Sequence, residues 1–305
     1  MYREQKLKRI SRDRYTTVLD RNISPVTTLR SGDEVLVETH DAFMGAWAEG
    51  QWPDHLGAAT GPIAVEGAAP GDALRIDLLE IVPVELAPGR GAVHQTSGKL
   101  GFLAKEFDKH YPVVMAIHDG NLVHPKGFRI PLKPSLGFIG TTDVEPRKTS
   151  SDSGAYGGDI DMKELAAGST VWLPVLVPGA LLCLGDVHAV LGDGAVGGTA
   201  AEAAGEVTIR VSLEKGARVK RPRVLTPDHF ITCCYGEDVG EAMRQAVRDM
   251  VDFLVAEKGM EPYDAYGLLS LAGDVRINRT FRPISPVKMM LSRDMLRQVE
   301  TLYRK

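Results

Sequence analysis

Cysteine is scarce in this chain. Cys183, Cys233 and Cys234 are the three in 305 residues. An odd set with two adjacent members cannot pair completely, so no disulfide framework is expected; reduced thiols point to a cytoplasmic setting. Cys183 lies in an apolar run and reads as core packing. Positive charge is not in excess either: the net charge is -4 and the pI about 6.1. That gives no basic field for nucleic acid, and no nucleic-acid partner is expected. Long apolar runs are missing too. The longest, Val171 to Leu184, is interrupted by Pro174, Pro178 and Gly179. It falls short of the ~20 residues that span a bilayer and reads as a hairpin, so no membrane partner is expected. The polar opening Met1-Tyr-Arg-Glu-Gln-Lys is not followed by a signal-peptide apolar region. Neither a Gly-x-Ser-x-Gly elbow nor a Gly-Lys-Ser/Thr phosphate loop occurs.

What is present favours strands. The 32 glycines and 18 prolines are dispersed in short turns, which suits many short strands better than a helical bundle. Strands are predicted at Tyr15-Leu19, Glu34-Thr39, Ala73-Val84, Val113-His118, Thr170-Val177, Leu181-Leu184 and Ala203-Leu213. A turn is predicted at Gly120-Asn121, and a short helix or turn at Asp161-Leu165. From about Asp238 to Glu257, Val239, Met243, Ala246, Val247, Met250, Val251 and Leu254 recur at helical spacing. Gly259 stops that helix, and Pro262 opens another near Tyr263-Leu271. Residues 1-305 read as a single domain, β-rich α/β (α+β), with β-sandwich or barrel elements and a few C-terminal helices. The basic residues 1-14 are expected to form a flexible arm.

The densest chemistry lies between Gly157 and Glu202. Asp159 and Asp161, and Asp186 and His188, are spaced two apart, and in a strand such residues share one face. Each pair can therefore aim two ligands into a common pocket, and mixed carboxylate and imidazole groups suit a divalent metal. The plainer alternative makes these turn aspartates bonded to backbone amides, with one buried histidine.

These residues sit in a longer pattern: Gly157-Gly-Asp-Ile-Asp-Met-Lys-Glu-Leu165, Gly168-Ser-Thr-Val-Trp-Leu-Pro-Val175, Pro178-Gly-Ala-Leu181, Gly185-Asp-Val-His-Ala189, Gly192-Asp-Gly194 and Gly198-Thr-Ala-Ala-Glu202. In order and spacing it resembles the acetamidase/formamidase family. Gly61-Pro-Ile-Ala-Val-Glu-Gly-Ala-Ala-Pro-Gly-Asp-Ala-Leu74, Leu136-Gly-Phe-Ile-Gly140 and the stretch from Glu261 to Ile277 extend the resemblance over roughly residues 15 to 292. It implies a hydrolase that cleaves a small linear carboxamide, formamide or acetamide, to ammonia and a carboxylate. It also implies a metal-binding site; zinc suits the His/carboxylate set, and calcium would need added backbone oxygens. Asp41, Asp161, Asp186 and His188 are the expected metal ligands. Glu202 and Asp161 are the expected catalytic acids and bases. Gly157, Gly158, Asp159, Gly192 and Asp193 are expected in the loops around the substrate, with Asp193 read as a turn residue. Gly194, Gly197 and Gly198 are expected to shape the same loops. His40, His55, His94, His118, His124 and His229 read as surface or structural residues. A homo-oligomer is expected for an enzyme of this size.

Three positions depart from the family pattern. Asp159 stands where Asn is usual, Leu191 where Gln is frequent, and Ala195 where Glu is frequent. They motivate two further readings, an amidase for a larger or cyclic amide and a non-catalytic metal-binding or ligand-binding homologue.

Overall fold

The computed structural model describes residues 7–46, 56–85, 89–96, 99–150, 152–280 and 284–303. Its body is two facing β-layers. One layer runs edge to edge through Lys8–Ile10, Asp33–Thr39, Glu202–Glu214, Ala73–Val84, Thr170–Pro174, Arg223–Leu225, His229–Gly236, Ser285–Ser292 and Gly273–Ile277. The other centres on Leu182–His188, flanked by Ala59–Val65 and Ser135–Gly140. Beyond Ser135–Gly140 lie Gly157–Asp159 and Ser153–Gly154.

Alternation along the strands builds the core. Val35, Val37, Leu74, Ile76, Leu78, Val207, Ile209 and Val211 from the first layer meet Ile63, Val65, Leu136, Ile139, Leu182 and Leu184 from the second. Each such side chain contributes about 1.5–3 kcal/mol on full burial. The strand Glu202–Glu214 serves both layers. Its first residues pair with Val187 and His188, while Gly205 onward lies between Asp33–Thr39 and Ala73–Val84. One continuous strand therefore fixes Glu202 relative to the whole sandwich.

Three helices cover the end of the first layer. They are α1 (Val239–Ala256), α2 (Pro262–Ala272) and α3 (Arg293–Tyr303). Asp238 caps α1 by accepting from the Glu241 backbone N–H at 2.7 Å, and Pro262 opens α2. Ala242, Ala246, Met250 and Leu254 of α1 pack against Phe230, Val287, Met289 and Leu291 in a second core. Among the described residues no helix is long and apolar enough to cross a membrane.

The β-rich body with C-terminal helices agrees with the sequence reading, and four details differ. Thr170–Pro174 and Leu182–His188 are not a hairpin: each pairs with other strands, one in each layer. The turn near residue 120 is Asp119-Gly120, both at positive φ, placing His118 opposite Asn121. The helix α3 went unpredicted. Lys8–Ile10 is not a loose arm but pairs in parallel with Val35–Val37, and Arg9 bonds to Glu38 and Glu206. Residues 1–6 and His55 lie outside the described residues.

Asp72 ties the turn before Ala73–Val84 to the far end of the long strand. It accepts from Lys215 Nζ at 2.6 Å and from the backbone N–H groups of Gly216 and Ala69 at 3.0 and 2.9 Å. These bonds, led by Lys215, lower its pKa from 3.8 to about 2. A carboxylate held below its unfolded value stabilises the fold above that value and stops doing so as pH falls through the folded one. Asp72→Asn is therefore expected to lower the melting temperature at pH 7. The gap between variant and parent should close as pH falls from 3.8 to about 2, as thermal unfolding over that range would show.

Candidate active site

At the end of the second layer the strands Ser135–Gly140, Leu182–His188 and Glu202–Glu214 lie side by side, with Ser135 opposite His188 and His188 opposite Glu202. Directly paired residues present their side chains on one face of a sheet. Val187 and Leu136 point into the core, so His188, Glu202 and Ser135 face the other way. Asp186 joins them through a local break. Its φ is 58°, and the ladder between its strand and Ser135–Gly140 skips Gly137 and Asp186.

Gly137 makes that arrangement possible. A Cβ there would stand 2.2 Å from Asp186 Oδ2 and 2.6 Å from His188 Cε1. Its carbonyl accepts from the backbone N–H groups of Ile160 and Asp161 at 2.8 and 3.0 Å, drawing Asp161 to the same place. Gly158 allows the adjoining strands to touch. At φ 102° its Cβ would meet the Asp152 carbonyl oxygen at 2.4 Å.

Three carboxylates converge on one imidazole nitrogen. His188 Nε2 lies 3.4 Å from Asp186 Oδ1, 3.4 Å from Glu202 Oε2 and 3.7 Å from Asp161 Oδ1. Ligand atoms of Asp161, Asp186 and His188 fall within 4.8 Å of one another, close enough to share a metal ion. His188 is 1% exposed and Glu202 4%. Burial alone would lower the His188 pKa, but Glu202 and Asp186 beside it hold it well above the ordinary value. Burial pushes Glu202 up to about 8, opposed by His188 and assisted by Asp186. Glu202 Oε1 accepts from the Ala200 N–H at 2.8 Å, which leaves Oε2 turned toward His188.

These groups floor a pocket of about 40 Å³ lined by Asp159, Asp161, Asp186, Ala195, Thr199 and Glu202, among others. One water needs roughly 10–15 Å³ on this measure, so the space suits a ligand of a few heavy atoms. Of the expected substrate-loop residues, Asp159 is the one that lines it. Gly157 and Gly158 are strand contacts behind it, and Gly192 stands in open space. Asp193 lies in a turn, as expected, closed by the Ala195 N–H donating to the Gly192 carbonyl at 3.2 Å. It pairs with Lys163 at 2.8 Å and Lys288 at 2.6 Å.

Asp41 is not one of the three clustered ligand residues, though it lies near enough to Asp186 to feel its charge, and Ala42 and Phe43 beside it line the pocket. Its two oxygens accept from the backbone N–H groups of Phe43 and Gly45, both at 2.9 Å. Burial raises its pKa, against these two bonds. His40 packs edge-on to Tyr15 and His124 stacks on Phe128. His94 bonds to the Thr199 hydroxyl at 3.0 Å.

Two buried cations were not anticipated. Arg279, fully buried, reaches Asp159 at 2.5 Å and Asp161 at 3.1 Å through Nη1. Lys288, also fully buried, bonds to Glu164 and Asp193, each at 2.6 Å. For Lys288 a signal existed: one lysine inside Pro286-Val-Lys-Met-Met-Leu291. For Arg279 none did, because its partners lie more than a hundred residues away, Asp161 118 positions earlier.

Gly137→Ala is expected to drive Asp186 and His188 apart. The cost should be about 1–3 kcal/mol, typical of overpacking. Denaturant unfolding checks the stability.

A family model described as Acetamidase/Formamidase family matches residues 8–153 and 143–282. A putative formamidase of Schizosaccharomyces pombe is 29% identical over 51% of each chain, so the present chain spans about half the length of that relative. The crystal structure of an acetamidase from Bacillus halodurans superposes with a TM-score of 0.88 at 32% identity, covering 95% of this chain and 99% of that one. A predicted acetamidase/formamidase from Thermoanaerobacter tengcongensis gives 0.90 at 31%, covering 96% and 98%. With matches along nearly its whole length, in sequence and in fold, the chain belongs to the acetamidase/formamidase family.

Proposed function

We propose that this protein is a metal-dependent amidohydrolase that cleaves a small linear carboxamide, of formamide or acetamide type, to ammonia and the carboxylate. The observation carrying this reading is the convergence of Asp161, Asp186 and Glu202 on His188 Nε2 at the floor of a small pocket. The raised pKa values of His188 and Glu202 mark a place that binds protons where a cation would balance the same charge.

The donor set fits such an ion. Asp161, Asp186 and His188 would hold it, and one imidazole with carboxylate oxygens suits zinc. Bound there, zinc supplies Lewis-acid polarisation of the amide carbonyl and acidifies water. The protein's own part is positioning and proton transfer. Glu202 is buried, and that burial raises its pKa to about 8, into the range in which a carboxyl can carry protons both ways. It takes a proton from the attacking water and returns it to the departing amide nitrogen. Arg279 fixes Asp161 from behind, so that this carboxylate does not swing with substrate. Ala195, at the pocket wall, belongs to a small apolar patch with Leu191 and Ala200; that wall suits the hydrogen or methyl of formamide or acetamide.

The three buried free thiols support a reducing, cytoplasmic setting. A homo-oligomer is part of the proposal and is testable by light scattering.

Purified protein should release ammonia from formamide and acetamide, lose that activity on chelation and regain it with zinc. No release from folded, zinc-loaded protein across an amide panel would reject the amidase reading. Glu202→Gln should lower turnover about 10²–10⁴-fold. Asp186→Ala should cost bound zinc as well, and elemental analysis separates the two roles.

A further inference from the structure

His188 has a second nitrogen, and it faces away from the carboxylates. Among the described residues Nδ1 has no hydrogen-bond partner, and neither does the hydroxyl of Ser135. Both residues are shut off from solvent, at 1% and 0% exposure. They are also direct cross-strand partners, Ser135 on Ser135–Gly140 and His188 on Leu182–His188. Residues so paired carry their Cβ atoms about 4.5–5.5 Å apart on the same face. Two unsatisfied buried polar groups that close are costly, by about 1–3 kcal/mol each, unless they satisfy one another.

We propose that Ser135 is the positioning residue for His188: its Oγ accepts the Nδ1–H proton, directly after a rotamer change or across one buried water. The assignment rests on the metal-site reading above, because its consequence is the state of Nε2. A neutral imidazole carries one proton. Holding it on Nδ1 leaves the Nε2 lone pair free toward Asp161, Asp186 and Glu202 and fixes the plane of the ring. In the opposite tautomer Nε2–H would point into the place where the cation belongs. The same short strand then sets two ligands at once, since Ser135 orients His188 and the Gly137 carbonyl anchors Asp161.

One rival acceptor exists. Gln95 is fully buried, and both its side-chain polar atoms lack partners among the described residues. It lies on Ala92–Thr96, the strand that meets Glu202 through Val93. His188 and Gln95 are separated by the Glu202 strand, whereas Ser135 borders His188 directly, and this favours Ser135.

The test compares the parent with Ser135→Ala, Ser135→Cys and Gln95→Leu, each checked for folding by circular dichroism. Zinc affinity is measured by competition with a chelating dye, and the hydrogen bond of His188 Nδ1–H by its imidazole 1H and 15N shifts in zinc-loaded and metal-free protein. Ser135→Ala is expected to weaken zinc binding about 10–100-fold, as loss of a ligand's orienting partner does, and to move the Nδ1–H resonances upfield as that hydrogen bond is lost. Ser135→Cys preserves volume but accepts poorly, so it should behave like Ala; full rescue by Cys would reduce Ser135 to a packing role and overturn the proposal. Unchanged affinity and shifts in Ser135→Ala would overturn it too, as would losses in Gln95→Leu alone. Should the parent bind no zinc, the metal reading fails separately, and the Nδ1–H shifts of the metal-free protein still decide the role of Ser135.

Discussion

Everything about this site depends on gathering acidic groups where water cannot screen them. Three carboxylates point at one buried imidazole, and like charges so placed repel strongly in a medium of low effective dielectric. Such an arrangement does not assemble unaided. It has to be imposed by a scaffold whose own stability is earned elsewhere, here in the aliphatic core between two β-layers. The upward shifts of His188 and Glu202 are the electrostatic signature of that imposition.

The scaffold imposes it through continuity and close approach. Glu202 begins a strand that runs on into the other layer, so displacing it would disturb pairings with Asp33–Thr39 and Ala73–Val84. Asp186 accepts a left-handed backbone that an aspartate tolerates better than most residues. Gly137 removes the one side chain that would collide with both Asp186 and His188. Backbone strain and missing atoms are thus concentrated beside the chemistry, where the surrounding sheet over-determines the geometry.

The sequence exposed the parts of this design that are local. Alternating Leu74, Ile76 and Leu78 announced a strand, and the Val239-to-Leu254 periodicity announced α1 with its boundaries nearly right. The spacing of Asp186 and His188 announced two converging ligands, and the structure brings them together with Asp161. What stayed hidden depends on distant pairing. The run from Val171 to Leu184 looks like a hairpin because Pro178-Gly179 is a turn, yet its halves enter opposite layers. Asp159 and Asp161 do share a destination, but no spacing rule names Arg279 as their cation. Asp193 is a turn residue, as Asp between glycines usually is, but its partners were not legible. A lysine from a strand some ninety-five positions later makes it an ion-pair partner.

Arg279 and Lys288 also separate two kinds of buried acid. Where the fold keeps a carboxylate permanently neutralised, it supplies a side-chain cation at hydrogen-bond distance: Arg279 for Asp159, Lys288 for Glu164 and Asp193. Such pairs make rigid struts, and removing either partner strands a charge in the interior at a cost of about 3–5 kcal/mol. Glu202 is treated differently. Among the described residues its ion-pair partner is His188 alone, an imidazole, which unlike lysine or arginine can also serve as a neutral metal ligand. The charge around Glu202 is therefore adjustable where that around Asp193 is fixed. A proton carrier and an exchangeable cation both need the adjustable kind, so the fixed pairs read as the frame and Glu202 with His188 as the working centre.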